Sequence, residues 1–510
     1  MLKKWLPGFI GLSALALLGR LLGLIREVLM ASKFGANEIT DAYLTTLLLF
    51  DIAMAANSSI LSGTLSYSTQ VKNLVNFPKS LLKVGLIALS IVLLIALVFY
   101  PFADKLIPLI FSKSAETTQI IIDASRLLLF LAAFLVAGGV FSALLQMKGD
   151  ITNPGRLVIF LNVTSIVFLI FFSKYLGIIS LPLGLFLGGI LFFIYQIILI
   201  QKTNKDFTDN SVKDKFNMFG WGAVILLVFG NSLLPSISGL LERYFAYSFV
   251  EGTFSHYQYA AKIILLPLTI FSFAISTSLL PIQTKFISEK NDKEFMNATN
   301  NGILFSVVTS SFFVLLFSTL SEPIIQLIYQ HGHFTIHDST ETSHALRIMS
   351  VGLIPFLLNP VLANIFYSLR TVKNLIAINL FFIVIQIAIL FFLSRIISGI
   401  ETLTLTWAII VWANNCALIF YLENVRKIRF DRTIALKLLI IILTTAVLIL
   451  LSKNIVGLWF VDMIAQNSWL LLIKVVSAGI ILLLIFFLGV YLIFRDTLSK
   501  VFPFLKRDTE

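Results

Sequence analysis

Residues Gly8–Tyr43 read GFIGLSALALLGRLLGLIREVLMASKFGANEITDAY. The first half is apolar enough to cross a bilayer, yet Arg20 lies well inside it, and Arg26 and Glu27 follow near its far end. A charge at bilayer depth costs about 3 kcal/mol or more, so it faces a watery cavity or a partner. On a helix, Arg20 and Glu27 point nearly the same way, two turns apart, and Arg26 is turned by about 120° from Arg20. Gly19 and Gly23 form a small-xxx-small face that admits a neighbouring helix closely.

The rest of the chain has the composition of a container for this helix. Of its 510 residues, 58% are hydrophobic and 13% charged, where a soluble chain carries about 25% charged residues. Apolar runs of roughly 20 residues recur from end to end. They do not alternate as the strands of a membrane barrel do, so the fold class is an all-α polytopic membrane protein. The net charge of +12 is spread over connecting segments, which argues against nucleic acid as a partner. The single cysteine, Cys416, permits no disulfide within the chain. MLKKW leads straight into the first apolar run, with no small-residue cleavage site.

Fourteen spans are expected, at about 6–28, 40–66, 80–103, 124–147, 155–174, 178–201, 217–241, 256–283, 300–321, 343–368, 374–396, 402–422, 434–452 and 468–495. With the N-terminus inside, 25 Lys and Arg residues fall in inner connections and termini and seven in outer connections, the asymmetry of the positive-inside rule. Both termini are therefore expected in the cytoplasm. Gln201 to Lys215 reads as a linker, and no loop is long enough for a catalytic domain.

A faint repeat divides the chain. Arg26 and Gly35 match Arg243 and Gly252 at one offset of 217 residues, and Asp41–Tyr43 corresponds within a residue to Tyr257–Tyr259. This points to two parallel six-helix lobes around a central cavity, 1–203 and 216–425, followed by two further helices in 432–497.

Several residues stand out within this frame. Arg20 and Arg26 either form a cationic wall for an anionic group, which the arginine fork suits, or tie helices together and snorkel. In the seventh span Pro235 and Gly239 read as a hinge or as an ordinary proline kink, followed by Glu242 and Arg243. Lys262 lies inside the eighth span, five residues before Pro267, exposed to the cavity or paired with Glu27, Asp41 or Asp51. Asp51, isolated within the second span, is expected to pair with a cation. The histidines of IYQHGHFTIHDST (328–340) read as a plain loop, and no metal site is expected. No phosphate loop or nucleophile elbow stands out.

GRLLGLIREVLMASKFGANEITDAY (19–43) resembles the N-terminal signature of the MurJ/MviN family, part of the multidrug/oligosaccharidyl-lipid/polysaccharide exporter superfamily. LIYQHGHFTIHDSTETSHAL (327–346) and ANIFYSLRTVKNLIAI (363–378) resemble two further family segments. The resemblance implies a flippase for undecaprenyl-pyrophosphate-linked sugars, lipid II or a related lipid-linked oligosaccharide. It assigns Arg20, Arg26 and Lys262 to the pyrophosphate and matches Asp41 to the family's acid at the start of the second helix, while Glu27, Asp51 and Arg243 are expected beside them as supporting charges. It implies a lipid-tail groove at the last two helices. The chain departs from the family at Met54 and Ala55, where a basic pair is usual, at Leu265, where an acid is usual, and at Lys262, where the family has arginine.

The expected activity is thus transport by alternating access in a bacterial inner membrane, with no cofactor. The membrane potential or a monovalent cation would drive it, and the substrate and membrane lipids would be its partners. Oligomeric state is not legible, and a monomer suffices. The competing readings are a drug/cation antiporter of the same superfamily, which would want an acidic cavity, and a membrane glycosyltransferase or polymerase, which would want acidic catalytic residues and a large outer loop.

Overall fold

The computed structural model describes residues 2–70, 77–111, 114–203, 218–426, 428, 432–459 and 468–501. Most of the linker expected at Gln201 to Lys215 lies outside them. Inside a bilayer each backbone N–H and C=O must be satisfied within its own segment, which for these long apolar runs means helix. Among the described residues the fold is all-helical. Among the described residues ten helices are long and apolar enough to cross a membrane, or eleven if one bent pair is a single span.

The chain forms two compact units, Met1–Ser255 and His256–Glu510. The first holds α1 (Leu2–Phe34), α2 (Glu38–Gln70), α3 (Phe77–Ile110), α4 (Ala115–Met147), α5 (Asn153–Leu176), α6 (Ser180–Thr203) and α7 (Met218–Tyr247). Here α2 lies along both α4 and α7. A Cβ on Gly139 would stand 2.7 Å from the Asn57 carbonyl oxygen, so only glycine lets the α2 and α4 backbones meet. Asn57 donates from Nδ2 to the Leu135 carbonyl at 2.6 Å across the same contact. A second amide, Gln196 of α6, donates to the Gly138 carbonyl at 3.1 Å, Ser142 Oγ at 2.8 Å and Asn153 Oδ1 at 2.9 Å. Buried amides in hydrocarbon need such partners, and these join α4, α5 and α6. Around them Phe141 and Phe193 stack at 5.2 Å in a core with Leu81, Val84 and Trp221.

α8 (Thr253–Ser288) begins at the end of the first unit and continues into the second. The second unit also holds α9 (Asp292–Tyr329), α10 (Ile336–Ser350), α11 (Leu353–Ser368), α12 (Val372–Ile396), α13 (Ile400–Asn424), α14 (Arg432–Trp459) and α15 (Ser468–Val501). α9 touches α10, α11, α14 and α15. It is kinked at Leu320, where φ is −108° and ψ 19°. Pro323 follows, which has no N–H and crowds the carbonyl four residues back. Beside the kink Thr319 and Ser452 of α14 share a hydroxyl hydrogen bond at 3.1 Å, and Phe312 meets Phe486 of α15 at 6.0 Å.

α10 and α11 meet at an angle of 44°. Pro355 in the first turn of α11 has no N–H for the Val351 carbonyl. Trp412 of α13 supplies the donor instead, Nε1 to Val351 O at 3.1 Å.

Candidate functional site

The corner between α1 and α2 holds most of the charges singled out in the sequence. Gly35 ends α1 with φ of 73°, a left-handed conformation that favours glycine. Asn37 then caps α2, its Oδ1 accepting from the N–H groups of Ile39 and Thr40, both at 3.1 Å. Gly252 repeats this geometry before α8, with φ of 80°. The offset of 217 residues thus joins two positions with the same backbone demand. Earlier on α1, a Cβ on Gly19 would come within 2.9 Å of Val158 on α5, and Asn162 donates to the Gly19 carbonyl at 3.1 Å. The small-residue face therefore packs on α5.

Arg26 and Glu27 are 8% and 2% exposed and paired at 2.8 Å. They are buried against each other and do not reach for an interface. Tyr43 and Asp51 lie near enough to act on the Arg26 charge. Arg20, two turns earlier on α1, is half-buried, and among the described residues it has no hydrogen bond or ion pair.

Arg243 of α7 is also buried, at 6% exposure. Its Nη2 donates to Asp51 Oδ2 at 2.8 Å and its Nε to the Leu44 carbonyl at 3.4 Å. Phe254 covers the guanidinium at 5.7 Å. A Cβ on Gly239 would stand 2.6 Å from Arg243 Nη1. Gly239 is the notch in which this guanidinium lies, and α7 stays helical through Pro235.

Asp41, at the start of α2, is a helix cap in trans. Its Oδ2 accepts from Gly252 N–H at 2.9 Å, and its Oδ1 from Ser255 N–H at 2.7 Å and Ser255 Oγ at 2.5 Å. These donors belong to the first turn of α8, where unsatisfied N–H groups and the helix dipole favour a carboxylate. Within the first unit, then, Arg26–Glu27, Arg243–Asp51 and the Asp41 cap are carried by α1, α2, α7 and the first turn of α8.

Lys262 lies in the second unit, half-buried on α8, with Leu265 exposed one turn on. Met54 and Ala55, on α2 in the first unit, are half-buried. His331 and His333 are exposed, and among the described residues no three His, Cys, Asp or Glu side chains gather as a metal site.

One pair in the second unit escaped the sequence reading of 328–340 as a plain loop. Asp338 Oδ2 accepts from Thr335 N–H at 2.7 Å and Oγ1 at 2.9 Å in a capping box that starts α10. Its Oδ1 meets His256 Nε2 at 2.9 Å, both side chains buried, with His337 set edge-on to the His256 ring at 6.3 Å. The T-x-x-D spacing of Thr335 and Asp338 was the signal for the cap; nothing local pointed to His256.

Comparison with known proteins follows the same lines. The profile of the lipid II flippase MurJ family matches residues 30–476. A probable lipid II flippase MurJ of Buchnera aphidicola subsp. Baizongia pistaciae is 26% identical over 473 residues, covering 88% of this chain and 90% of its own. That of Rickettsia prowazekii is 26% identical over 506 residues, covering 94% and 95%. Among solved structures, a lipid II flippase MurJ in an inward closed conformation superposes with a TM-score of 0.76 at 21% identity, covering 96% of this chain and all of that one. An inward-facing multidrug resistance transporter of the MATE family gives 0.65 at 15% identity, over 80% and 94%. These structures share the fold.

Proposed function

The chain belongs to the lipid II flippase MurJ family, and we propose on that footing that it moves a polyprenyl-pyrophosphate-linked glycan, lipid II or a close relative, from the inner to the outer leaflet of the bacterial cytoplasmic membrane. The observation that carries the site assignment is the contrast on α1: Arg26 is neutralised by Glu27, while Arg20 stands without a partner among the described residues. An unpaired guanidinium inside a membrane protein is costly unless an anion or water meets it, and its planar fork matches phosphate oxygens.

In this reading Arg20, Arg26 and Lys262 meet the pyrophosphate. Of fourteen spans, with both termini cytoplasmic, the first twelve form two six-helix lobes that rock to release the head group outside while the lipid tail stays in the bilayer. The last two helices guide that tail. Pro235 gives α7 the freedom such a motion needs. Asp41 latches the first turn of α8 and lets go when the outer side opens. An inside-negative potential favours outward movement of an anion by about 2.3 kcal/mol per charge per 100 mV; transport that persists without that potential would point instead to a co-transported monovalent cation. The chain acts as a transporter, without a cofactor.

The test is transfer of a fluorescent polyprenyl-pyrophosphate sugar across vesicles containing the purified protein. Arg20→Gln should abolish transfer while the protein inserts and melts as before. Unchanged transfer by Arg20→Gln, or a chemically altered product, would overturn the reading.

A further inference from the structure

A groove of about 750 Å³ runs between α10 and α13 in the second unit, lined by Arg347, Val351, Leu405, Ile409, Trp412 and Cys416 among others. The α13 wall is one outward stripe, Leu405, Ile409, Trp412, Ala413 and Cys416, and Phe420, 66% exposed, continues it. A wall facing a watery cavity would carry polar groups; this one is apolar along its length and faces hydrocarbon.

Arg347 is the exception at its rim. It is exposed, uses one donor on Ser321 Oγ at 3.2 Å, and has no ion pair among the described residues. The carboxylate of Glu401, in the first turn of α13, is held by His344 at 3.2 Å. Arg347 therefore presents most of an arginine fork beside a hydrocarbon groove, with the nearby acid already engaged.

We propose that this groove binds one anionic membrane phospholipid, an acyl chain along α13 and the phosphate on Arg347. The dimensions agree. From Leu405 to Cys416 the helix rises about 16 Å, and half a bilayer's hydrocarbon is about 15 Å deep. Under the positive-inside orientation α13 descends from the outer face, so the lipid is one of the outer leaflet. A guanidinium at this level binds phosphate oxygens in pairs. The assignment rests on the groove and Arg347 alone and does not depend on the cargo.

The test uses the whole protein in vesicles containing chain-brominated phosphatidylglycerol or chain-brominated phosphatidylcholine. Quenching of Trp412 fluorescence is read as the difference from Trp412→Phe. Phosphatidylglycerol should quench at about fivefold lower mole fraction, the advantage one cation near an anionic lipid gives. Arg347→Gln should bring the two lipids level, and Ala413→Phe, which fills the groove, should remove quenching by both. Should Arg347→Gln fail to fold, the native protein at about 1 M salt replaces it, where screening should erase the preference. Equal quenching by the two lipids in the native protein, or a preference that survives Arg347→Gln or high salt, overturns the proposal.

Discussion

The guanidinium of Arg243 lies in a notch left by Gly239 and reaches Asp51 at 2.8 Å, tying α7 to α2. Asp51 is 49% exposed at its side chain, so solvent screens the pair, and Asp51→Asn should cost about 1 kcal/mol. Gly239→Ala would ordinarily stabilise a helix by about 1 kcal/mol, but here its methyl displaces the guanidinium. Alone it should be neutral or destabilising. In an Asp51→Asn background, where the guanidinium keeps only the Leu44 carbonyl and a neutral amide oxygen, it should become stabilising. Thermal unfolding of the four proteins in one detergent checks the change of sign.

Arg20 and Arg26 should separate function from stability. Arg20→Gln should leave the melting temperature unchanged and stop transport. Arg26→Gln removes the ion pair of the buried Glu27 carboxylate and should cost about 3–5 kcal/mol. Arg26→Gln with Glu27→Gln should regain most of that stability and remain inactive in the vesicle assay.

Removing the Asp41 carboxylate frees two backbone donors at the start of α8. Asp41→Ala should speed amide hydrogen exchange at Gly252 and Ser255 by about tenfold, the equivalent of a lost helix cap. Asp41→Asn, which keeps one acceptor, should fall between. Exchange read by mass spectrometry on the 248–258 segment decides this, with the rest of α8 as the internal control.

Thr335→Ala should lower stability by about 1 kcal/mol through loss of the cap on α10. Asp338→Ala should cost about 2–3 kcal/mol, because it also leaves the buried His256 ring without its acceptor. Equal effects would mean that His256 contributes nothing through this contact. Unfolding in detergent measures both.

The helices, and the glycine that ends α1, were legible because hydrocarbon forces apolar runs into helix and a left-handed corner favours glycine. Gly35 and Gly252 could be paired at one offset for that reason, and Gly19 read as a packing face. Asp51 could be expected to find a cation, since an isolated acid in a span needs one. Its choice of Arg243 could not be read, because the two stand 192 residues apart and periodicity gives a face without naming the neighbour. Asp41 and Ser255 were hidden in the same way. Pro235 and Gly239 read as a hinge or an ordinary kink, and only the position of the Arg243 guanidinium shows that Gly239 also makes room for it.

The hydrogen bonds of Gln196 bear on how the protein is made. Ser142 and Asn153 leave the ribosome well before α6 does, and until Gln196 arrives their mutual hydrogen bond at 2.9 Å lacks the amide that joins α4, α5 and α6. Early segments with polar groups waiting for a later one are poor candidates for release into lipid one at a time. Nascent chains cut short before α6 should stay crosslinkable to the insertion machinery, and those extended past it should diffuse away.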